Sequence, residues 1–532
     1  MTYVVVVADS MDEQGLDLLR QEPDFEVVTT VGDPDRLPEA MQRAHALLVR
    51  SATQVTEELI MNAPSLRVVG RAGIGVDNID IEAATRRGIA VVNAPGANTV
   101  SAAEHAIAIL LALVRRVPWA VRSMREGKWD RNLFRGTELR GKVLGLIGLG
   151  RIGAHVAGIA RAFGMEVLAC DPFLSPEQAK RHNVTLSELD SLLQRADVVS
   201  LHVPLTDDTR HILNAERLAL LRPTAVVINT ARGGLIDIAA LLEALRENRL
   251  AGAALDVFEQ EPLAEDSPLR WENKVLLTPH LAASTDEAQI RVSVEICRTV
   301  LAALRTGDVG GAVNVPGVSS VVLVRARAQM ELARRLAQLA AVLAGSPVRA
   351  IEVDYGGHDE EAPRPVMIAA IEGVLRGAGV GPVTLVNARM LAEERDITVH
   401  RRVGRPNPGF ETTVAVTVES ADDRATVLGG VRAGDTDGRI IRIEGLEVDI
   451  PTSGHLLMLR NSDGPDVTDR VQEVLGEVGV TVGSYRESAE RNGGAVLAAV
   501  TVDVAPAQEV LERIEALAGV TDVRLVRLGD PD

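Results

Sequence analysis

The sequence predicts an α/β protein whose main sheets are parallel and are joined by crossover helices. Short apolar strands alternate with amphipathic stretches over residues 1–95, and the same alternation recurs over residues 143–277. A glycine-rich turn joins a strand to a helix at residues 148–153. A βαββαβ pattern then occupies residues 454–528, which is typical of a ferredoxin-like module.

Length and composition limit the classes of protein to consider. A chain of 532 residues is long enough for several domains, and 46% hydrophobic with 24% charged residues is typical of globular proteins. The net charge of −18 argues against nucleic-acid binding. Cys170 and Cys297 form neither a disulfide framework nor a metal motif. We find no signal peptide and no 18-residue apolar run, so we expect a cytoplasmic enzyme with no metal and no membrane contact.

The first part of the chain carries two arginines at the ends of predicted strands. Five strands are predicted, at residues 3–8, 25–28, 46–49, 67–70 and 90–92. Arg50 follows the third strand and Arg71 the fourth. Ligands of open α/β sheets bind beyond the carboxyl ends of the strands. The two arginines are therefore candidates for holding an anionic substrate, and the alternative is that they are ordinary surface residues.

A turn cluster at residues 93–99 is predicted to be a hinge, and a helix follows it. The order Ser101-Ala102-Ala103-Glu104 has the spacing of a capping box, which predicts that the helix begins there and extends to about Arg116. Residues 106–114 are almost all apolar, so this helix should be buried in a core or at a subunit interface. Residues 117–141 are predicted to be irregular.

The glycine-rich turn has the features of a Rossmann-type dinucleotide site. Strand 143–147 leads into Gly148, Gly150 and Gly153, a helical stretch follows, and strand 166–170 ends at Asp171. The glycines permit a tight turn, a close approach of a pyrophosphate and close helix packing, while Asp171 suits the ribose hydroxyls. No Arg or Lys follows Asp171 closely, which favours NAD over NADP. A lone glycine pattern would be equally consistent with an ordinary turn.

Three polar side chains follow later strands of the same region. Arg232 follows the strand at 225–228, Glu261 follows the strand at 253–255, and His280 follows the strand at 275–277. Oxidation of a hydroxyl needs a base, and His with a carboxylate partner is suited to that role. An arginine offers a fork for a substrate carboxylate. Each residue alone has an ordinary surface explanation. His202 is the rival histidine, but it has no nearby Arg or Glu motif.

These patterns predict four domains. A long helix from about Ser284 should return the chain to the first sheet, which makes the substrate-binding, flavodoxin-like domain discontinuous. The predicted domains are 1–98 with 284–316 for the substrate, 99–283 for NAD, 317–452 as an intervening α+β domain, and 453–532 as the terminal ferredoxin-like module. The intervening domain contains no chemical motif that we can interpret.

Several motifs together are similar to the D-isomer-specific 2-hydroxyacid dehydrogenases. The similarity rests on GLGRIG followed by Asp171, on INTARGG, DVFEQEP and TPH, and on RAGIGVDNID with NAPGANTVSAAEHAIAILLALVRR in the first part. It covers residues 1–315. Length, an intervening domain and the terminal module resemble the long members of that family, which oxidise 3-phosphoglycerate to 3-phosphohydroxypyruvate at the start of L-serine synthesis.

The resemblance implies roles for individual residues. Arg232, Glu261 and His280 would be catalytic. The positions that would contact NAD are Ile74, Gly148, Gly150, Arg151, Ile152, Gly153, Asp171, Val203, Pro204, Thr230, Ala231, Arg232, Asp256, Ala282 and Ala283. Those that would hold the substrate are Arg50, Ser51, Arg71, Gly73 and Asn98. The alternatives are another 2-hydroxyacid dehydrogenase, of the glyoxylate or hydroxypyruvate reductase type, and a non-enzymatic NAD-sensing corepressor.

The terminal module resembles an ACT domain, which implies L-serine as an effector. The family resemblance implies that the protein is a homo-oligomer, namely a tetramer. Two positions depart from the family pattern in that module: Asp463 stands where Gly is expected, and Thr481 where Asn is usual. In the loop after His280, Ala282 stands where the family usually has Gly. The first two departures concern the effector site, and the third adds one methyl group near the cofactor.

Overall fold

The structure is a computed structural model that describes residues 2–315, 317–421, 423–435, 437–462, 467–487 and 495–528. Helices and strands within these ranges form four sheets. The Asp463 position, on which part of the effector prediction rests, lies outside the described residues.

The first sheet is parallel, and its strand order is β2-β1-β3-β4-β5. This flavodoxin-like order confirms the fold predicted from the alternating pattern. Val4–Val7 and Ala46–Val49 are buried on both faces of the sheet because helices cover them. The elements are β1 (Tyr3–Val7), α1 (Glu13–Arg20), β2 (Phe25–Thr29), α2 (Leu37–Met41), β3 (Ala46–Val49), α3 (Glu57–Met61), β4 (Val68–Arg71), α4 (Ile81–Arg86) and β5 (Ala90–Asn93).

The second sheet is also parallel, with the order β12-β11-β10-β9-β6-β7-β8. The order reverses between β9 and β6, which is the Rossmann arrangement that the glycine-rich turn predicted. Its elements are α5 (Thr99–Val114), α6 (Val117–Arg125), β6 (Val143–Ile147), α7 (Arg151–Ala162), β7 (Glu166–Cys170), α8 (Pro176–Arg181), β8 (Thr185–Leu186), α9 (Leu189–Arg195), β9 (Val198–Leu201), α10 (Ala215–Ala219), β10 (Val226–Asn229), α11 (Ile238–Arg246), β11 (Gly252–Leu255) and β12 (Val275–Leu277).

Two local predictions near α5 are wrong. The helix begins at Thr99, so Ser101 lies inside it and caps nothing; its hydroxyl instead donates to the carbonyl of Ala282, 2.6 Å away. Residues 117–141 are not all irregular, because α6 occupies Val117–Arg125. The sequence concealed α6 because Pro118 lies at its start and Arg116 precedes it in the left-handed region, at a φ of 55°.

After the second sheet, α12 (Asp286–Thr306) returns to the first. Thr285 caps it by accepting the amide of Ala288, and Gly307 ends it at a positive φ of 68°. The hydroxyl of Ser293 donates to the carbonyl of Asp12, 2.7 Å away, just before α1. The helix thus packs on α1 and β4. The domain boundaries stay a prediction.

The third sheet has the order β14-β13-β15-β16-β17-β18; only β13 and β14 pair in parallel, and α14 and α15 pack against each other beside it. It is the α+β fold expected for the intervening region. Its elements are α13 (Ser320–Arg325), α14 (Arg327–Ala344), β13 (Val348–Gly356), α15 (Pro363–Gly377), α16 (Ala388–Glu393), β14 (Thr398–Gly404), β15 (Thr412–Ser420), β16 (Arg424–Val431), β17 (Arg439–Ile443) and β18 (Leu446–Pro451).

The fourth sheet is antiparallel, with the order β20-β21-β19-β22. This arrangement confirms the βαββαβ module. Its elements are β19 (Gly454–Ser462), α17 (Val467–Glu477), β20 (Val482–Glu487), β21 (Ala495–Val502), α18 (Gln508–Glu515) and β22 (Val520–Leu528).

Specific contacts join neighbouring units. The guanidinium of Arg524 in β22 donates to the carbonyls of Val342 and Leu343 in the last turn of α14, at 2.6 and 2.5 Å. On the other side of the intervening region, Thr384 donates to the carbonyl of Gly88 at 3.1 Å. A single hydrophobic core runs from the first sheet through α12 to α14. Within the described ranges, no helix is long and apolar enough to cross a membrane.

Candidate active site

The glycine-rich turn between β6 and α7 leaves an open approach to the helix N-terminus. A side chain at Gly148 would meet the carbonyl of His202, and one at Gly153 would lie 2.3 Å from the carbonyl oxygen of Gly148. Gly150 differs, because no other atom of the described chain lies within 4 Å of where its Cβ would be. Two of the glycines are therefore required by packing, whereas Gly150 leaves space beside the unpaired amides of α7. That space fits a cofactor phosphate.

Asp171 lies beside this turn, as the sequence predicted. One of its carboxylate oxygens accepts the amide of Leu149 at 2.9 Å, and the other accepts the amide of Phe173 at 3.0 Å. These bonds hold the carboxylate at the edge of the site. Arg151 and Ile152 form the first turn of α7, and Val203 and Pro204 follow β9 on the facing loop.

His280 and Glu261 form a hydrogen-bonded pair. Nδ1 of His280 lies 2.6 Å from Oε2 of Glu261, and Oε1 of Glu261 accepts the amide of Phe258 at 3.0 Å. Burial by itself would raise the pKa of Glu261, but the bonds from His280 and Phe258 lower it below the ordinary value. Glu261 is thus ionised at neutral pH, and Nε2 of His280 is the ring nitrogen left for a ligand.

Arg232 reaches from the second sheet to the first. Its Nε donates to Oδ2 of Asp77 at 2.7 Å, and its Nη1 donates to the carbonyl of Ala231 at 2.7 Å. The remaining Nη2 occupies the place where a Cβ on Gly75 would lie. Asp77 and Gly75 lie in the loop after β4, so the guanidinium is held between the two sheets.

The predicted substrate residues lie on the first sheet's side of this gap. Burial and the nearby Arg232 lower the pKa of Arg71 to about 10, whereas Asp77 opposes this effect. Among the described residues, Nε of Arg71 and Oδ1 of the buried Asn98 have no hydrogen-bond partner. Arg50 lies near Arg71, and its Nη1 donates to the carbonyl of Ser10 at 3.3 Å. Ser51 is exposed, and Gly73 packs against the Arg71 guanidinium.

Asp256 is fully buried, and the chain itself satisfies its carboxylate. Oδ1 accepts the hydroxyl of Thr278 at 2.6 Å and the amide of Leu281 at 2.8 Å, and Oδ2 accepts the amide of Ala282 at 2.9 Å. Nε2 of His105 lies 3.1 Å from Oδ1. The sequence predicted Asp256 as a cofactor contact. It did not reveal that the Asp256 carboxylate also holds the loop that carries His280.

Other predicted cofactor positions lie in the loops that follow β4, β10 and β12. Thr230 is 8% exposed, and its hydroxyl has no partner among the described residues. The carbonyl of Ile74 accepts Nδ2 of Asn93, and that of Ala283 accepts Nε2 of Gln289 at 2.7 Å. An unpaired buried hydroxyl and the open space at Gly150 fit a polar ligand here.

Sequence reasoning also missed Asp77 and His105. Both residues lie inside the motifs that carry the family resemblance, but neither follows a strand of the second sheet. His202, the rival histidine, is held by the hydroxyl of Ser200, 2.9 Å from its Nε2. Burial lowers the pKa of His202 to about 4. It is neutral at pH 7 and packs against Gly148 and Gly153 of the glycine-rich turn.

A Rossmann sheet facing a second parallel sheet, with a His–Glu pair and an arginine between them, defines an NAD-dependent oxidoreductase. Residues 107–282 match the model of the D-isomer specific 2-hydroxyacid dehydrogenase NAD binding domain, and residues 325–444 match that of the D-3-phosphoglycerate dehydrogenase intervening domain.

Relatives of almost the same length agree with these matches. The chain is 38% identical to the D-3-phosphoglycerate dehydrogenase of Synechocystis sp., over 98% of this chain and 94% of the relative. It is also 38% identical to that of Archaeoglobus fulgidus, over 98% of this chain and 100% of the relative. The chain belongs to the D-3-phosphoglycerate dehydrogenase family.

Solved structures resemble the first two sheets. The D-lactate dehydrogenase of Aquifex aeolicus, complexed with NAD and lactic acid, is 31% identical, with a TM-score of 0.51 over 56% of this chain and 95% of that chain. The TT0316 protein of Thermus thermophilus is 37% identical, with a TM-score of 0.52 over 57% of this chain and 96% of that chain. Together with the match to the NAD binding domain, these structures support NAD as the cofactor of this chain.

Proposed function

We propose that this enzyme oxidises 3-phosphoglycerate to 3-phosphohydroxypyruvate with NAD, and that His280, Glu261 and Arg232 are its catalytic residues. The observation that carries the assignment is the 2.6 Å bond between Nδ1 of His280 and Glu261, because it leaves Nε2 available as a base. The reaction is the first step of L-serine synthesis.

His280 removes the proton of the C2 hydroxyl through its Nε2. The ring then carries a positive charge, which the ionised Glu261 stabilises through Nδ1. NAD, when bound at the glycine-rich turn, supplies the acceptor for the hydride from C2. In the reverse direction the protonated His280 returns the proton to the carbonyl oxygen.

Arg232 binds the substrate carboxylate and polarises the C2 oxygen. Its Nε and Nη1 are already occupied by Asp77 and Ala231, so Nη2 is the group directed at the substrate. Arg71 and Arg50 hold the phosphate, and Asn98 with Ser51 and Gly73 completes the substrate wall. Three arginines suit a substrate that carries both a carboxylate and a phosphate.

The direct test is NADH formation from 3-phosphoglycerate at alkaline pH by the full chain. We expect turnover in the wild type, and a loss of at least 10³-fold in His280→Ala with NAD binding retained. Ready reduction of glyoxylate or hydroxypyruvate without activity on phosphohydroxypyruvate would leave the reaction class but overturn the substrate. Inactivity on every 2-hydroxy acid would favour an NAD sensor instead.

We propose that the catalytic part of the chain consists of two domains. The substrate domain comprises residues 1–98 and 284–316, and the NAD domain comprises residues 99–283. The glycine-rich turn lies between β6 and α7 of the second sheet's unit, and Arg71 ends β4 of the first. Limited proteolysis checks these boundaries, because cleavage should concentrate between units and decrease when NAD is bound.

We propose that the terminal module regulates activity in response to L-serine. The bonds from Arg524 to the last turn of α14 support coupling between this module and the intervening domain. A steady-state assay with and without L-serine tests this. Inhibition that is weakened in Arg524→Ala supports it, and a lack of any serine effect refutes it.

The enzyme is proposed to be a cytoplasmic homotetramer. An apolar group on and after α6 supports self-association, because Val117, Val121, Met124, Trp129 and Leu133 are between 43 and 75% exposed. Light scattering on the full chain should give four times the mass of 56.7 kDa, and a monomer would contradict the proposal.

A further inference from the structure

Two side chains of α5 contact the loop that presents His280. The hydroxyl of Ser101 donates to the carbonyl of Ala282 at 2.6 Å. Nε2 of His105 lies 3.1 Å from Oδ1 of Asp256 and 3.3 Å from the hydroxyl oxygen of Thr278. Residues four apart lie on one face of a helix, so α5 holds the loop at two points from one side.

This loop has a conformation that needs support. His280 has a φ of 53°, in the left-handed region that few residues other than glycine adopt. Such a conformation is strained and persists only where surrounding contacts impose it. The amide of His280 donates to the carbonyl of Asp256 at 2.8 Å, so the main chain of Asp256 is one of those contacts.

The side chain of Asp256 imposes the rest of the loop geometry. It is 0% exposed and accepts the amides of Leu281 and Ala282 together with the Thr278 hydroxyl. An ionised carboxylate only accepts hydrogen bonds, so the proton between it and His105 belongs to Nε2 of the imidazole. Among the described residues outside the 256–282 segment, His105 is thus the only one whose side chain bonds this carboxylate.

We propose that His105 is a positioning residue for the base His280, acting through Asp256, with Ser101 as the second anchor of the loop. The proposal rests on the proposed function, because it requires His280 to be the base. Without His105 the buried carboxylate loses a donor, and the loop moves to satisfy it. Nε2 of His280 then leaves the position from which it reaches the C2 hydroxyl, which lowers the rate without removing a substrate contact.

The experiment compares His105→Ala with His105→Gln and with Glu104→Ala, a variant of the neighbouring exposed residue of the same helix. We expect kcat of His105→Ala to fall roughly 10- to 100-fold, with KM for 3-phosphoglycerate within threefold. The amide of Gln is a donor, so His105→Gln should recover part of kcat. Glu104→Ala should match the wild type. Ser101→Ala should lower kcat in the same way and by less.

A double-mutant cycle separates positioning from general damage. If His105 acts through His280, then adding His105→Ala to His280→Ala should cause no further loss in residual turnover. An equal fold-loss in both backgrounds, or a kcat within twofold of wild type in His105→Ala, overturns the proposal. Wild-type turnover in His280→Ala would instead refute the assignment of the base, and the proposal with it.

Discussion

Nε of Arg232 and Oδ2 of Asp77 lie 2.7 Å apart although 155 residues separate them in the chain. Arg232 follows β10 in the second sheet, and Asp77 belongs to the loop after β4 in the first. The bond fixes the guanidinium of Arg232, whose Nη2 lies against Gly75. It also places a negative charge near Arg71 and Arg232, which would otherwise repel each other. Asp77 thus fixes Arg232 from the loop that follows the first sheet's fourth strand.

Replacement of Asp77 by Asn should weaken substrate recognition moderately. The Asp77 side chain is 62% exposed, and exposed ion pairs contribute about 1 kcal/mol or less, so we expect kcat/KM to fall about fivefold. The loss should appear mainly in KM, because Arg232 is proposed to bind the substrate carboxylate in the ground state as well. Steady-state kinetics measure it, with the exposed Glu58→Gln as control. An unchanged KM would show that Asp77 does not orient Arg232.

Replacement of Glu261 by Gln should reduce kcat far more than KM. The amide keeps the shape of the side chain but cannot stabilise a positive charge on His280, so we expect a decrease of roughly 10²- to 10⁴-fold. Single-turnover kinetics with 3-phosphoglycerate, together with an NAD titration, check this outcome. Glu259→Gln, in the same loop, should stay within a few-fold of wild type. A small effect in Glu261→Gln would mean that the pair is not catalytic.

Two neighbouring glycines should respond differently to alanine. Gly150 has a φ of −70°, and its Cβ position is free of other described atoms, so Gly150→Ala should fold normally and bind NAD roughly 10-fold more weakly. In Gly153→Ala the added methyl would lie 2.3 Å from the carbonyl oxygen of Gly148, so that variant should be destabilised by about 1–3 kcal/mol. Thermal unfolding and fluorescence titration with NAD distinguish the two. The reverse pattern would exclude a phosphate at Gly150.

His202 should make the fold less stable in acid. Its pKa is about 4 when folded and 6.5 when unfolded, so between these values the unfolded chain binds more protons and stability falls as pH decreases. The loss is at most about 1.4 kcal/mol per pH unit. Denaturant unfolding of His202→Gln between pH 7 and 4.5 should show a smaller loss than the wild type. His182→Gln, at an exposed position, is the control, and equal slopes in all three proteins would contradict the prediction.

Much of the fold follows from local patterns. Strands such as Ala46–Val49 and Val143–Ile147 have the predicted bounds, because parallel strands buried on both faces are continuous apolar runs between polar turns. The start of α5 was misplaced because Ser101 and Glu104 match a capping pattern, although the Ser101 hydroxyl bonds a loop 181 residues away. A local pattern does not reveal such a distant partner.

By itself the sequence determined the parallel sheets, the glycine-rich turn and the three polar side chains that follow strands, since each depends on residues close together in the chain. Only the tertiary structure decided which groups hold those side chains in place. Asp77 beside Arg232, and His105 behind Asp256, lie more than 150 residues from their partners. Their contacts arise when two sheets and a connecting helix pack together. A hydrogen bond requires its two atoms to be placed to within a few tenths of an ångström, and residue spacing along the chain does not specify that placement.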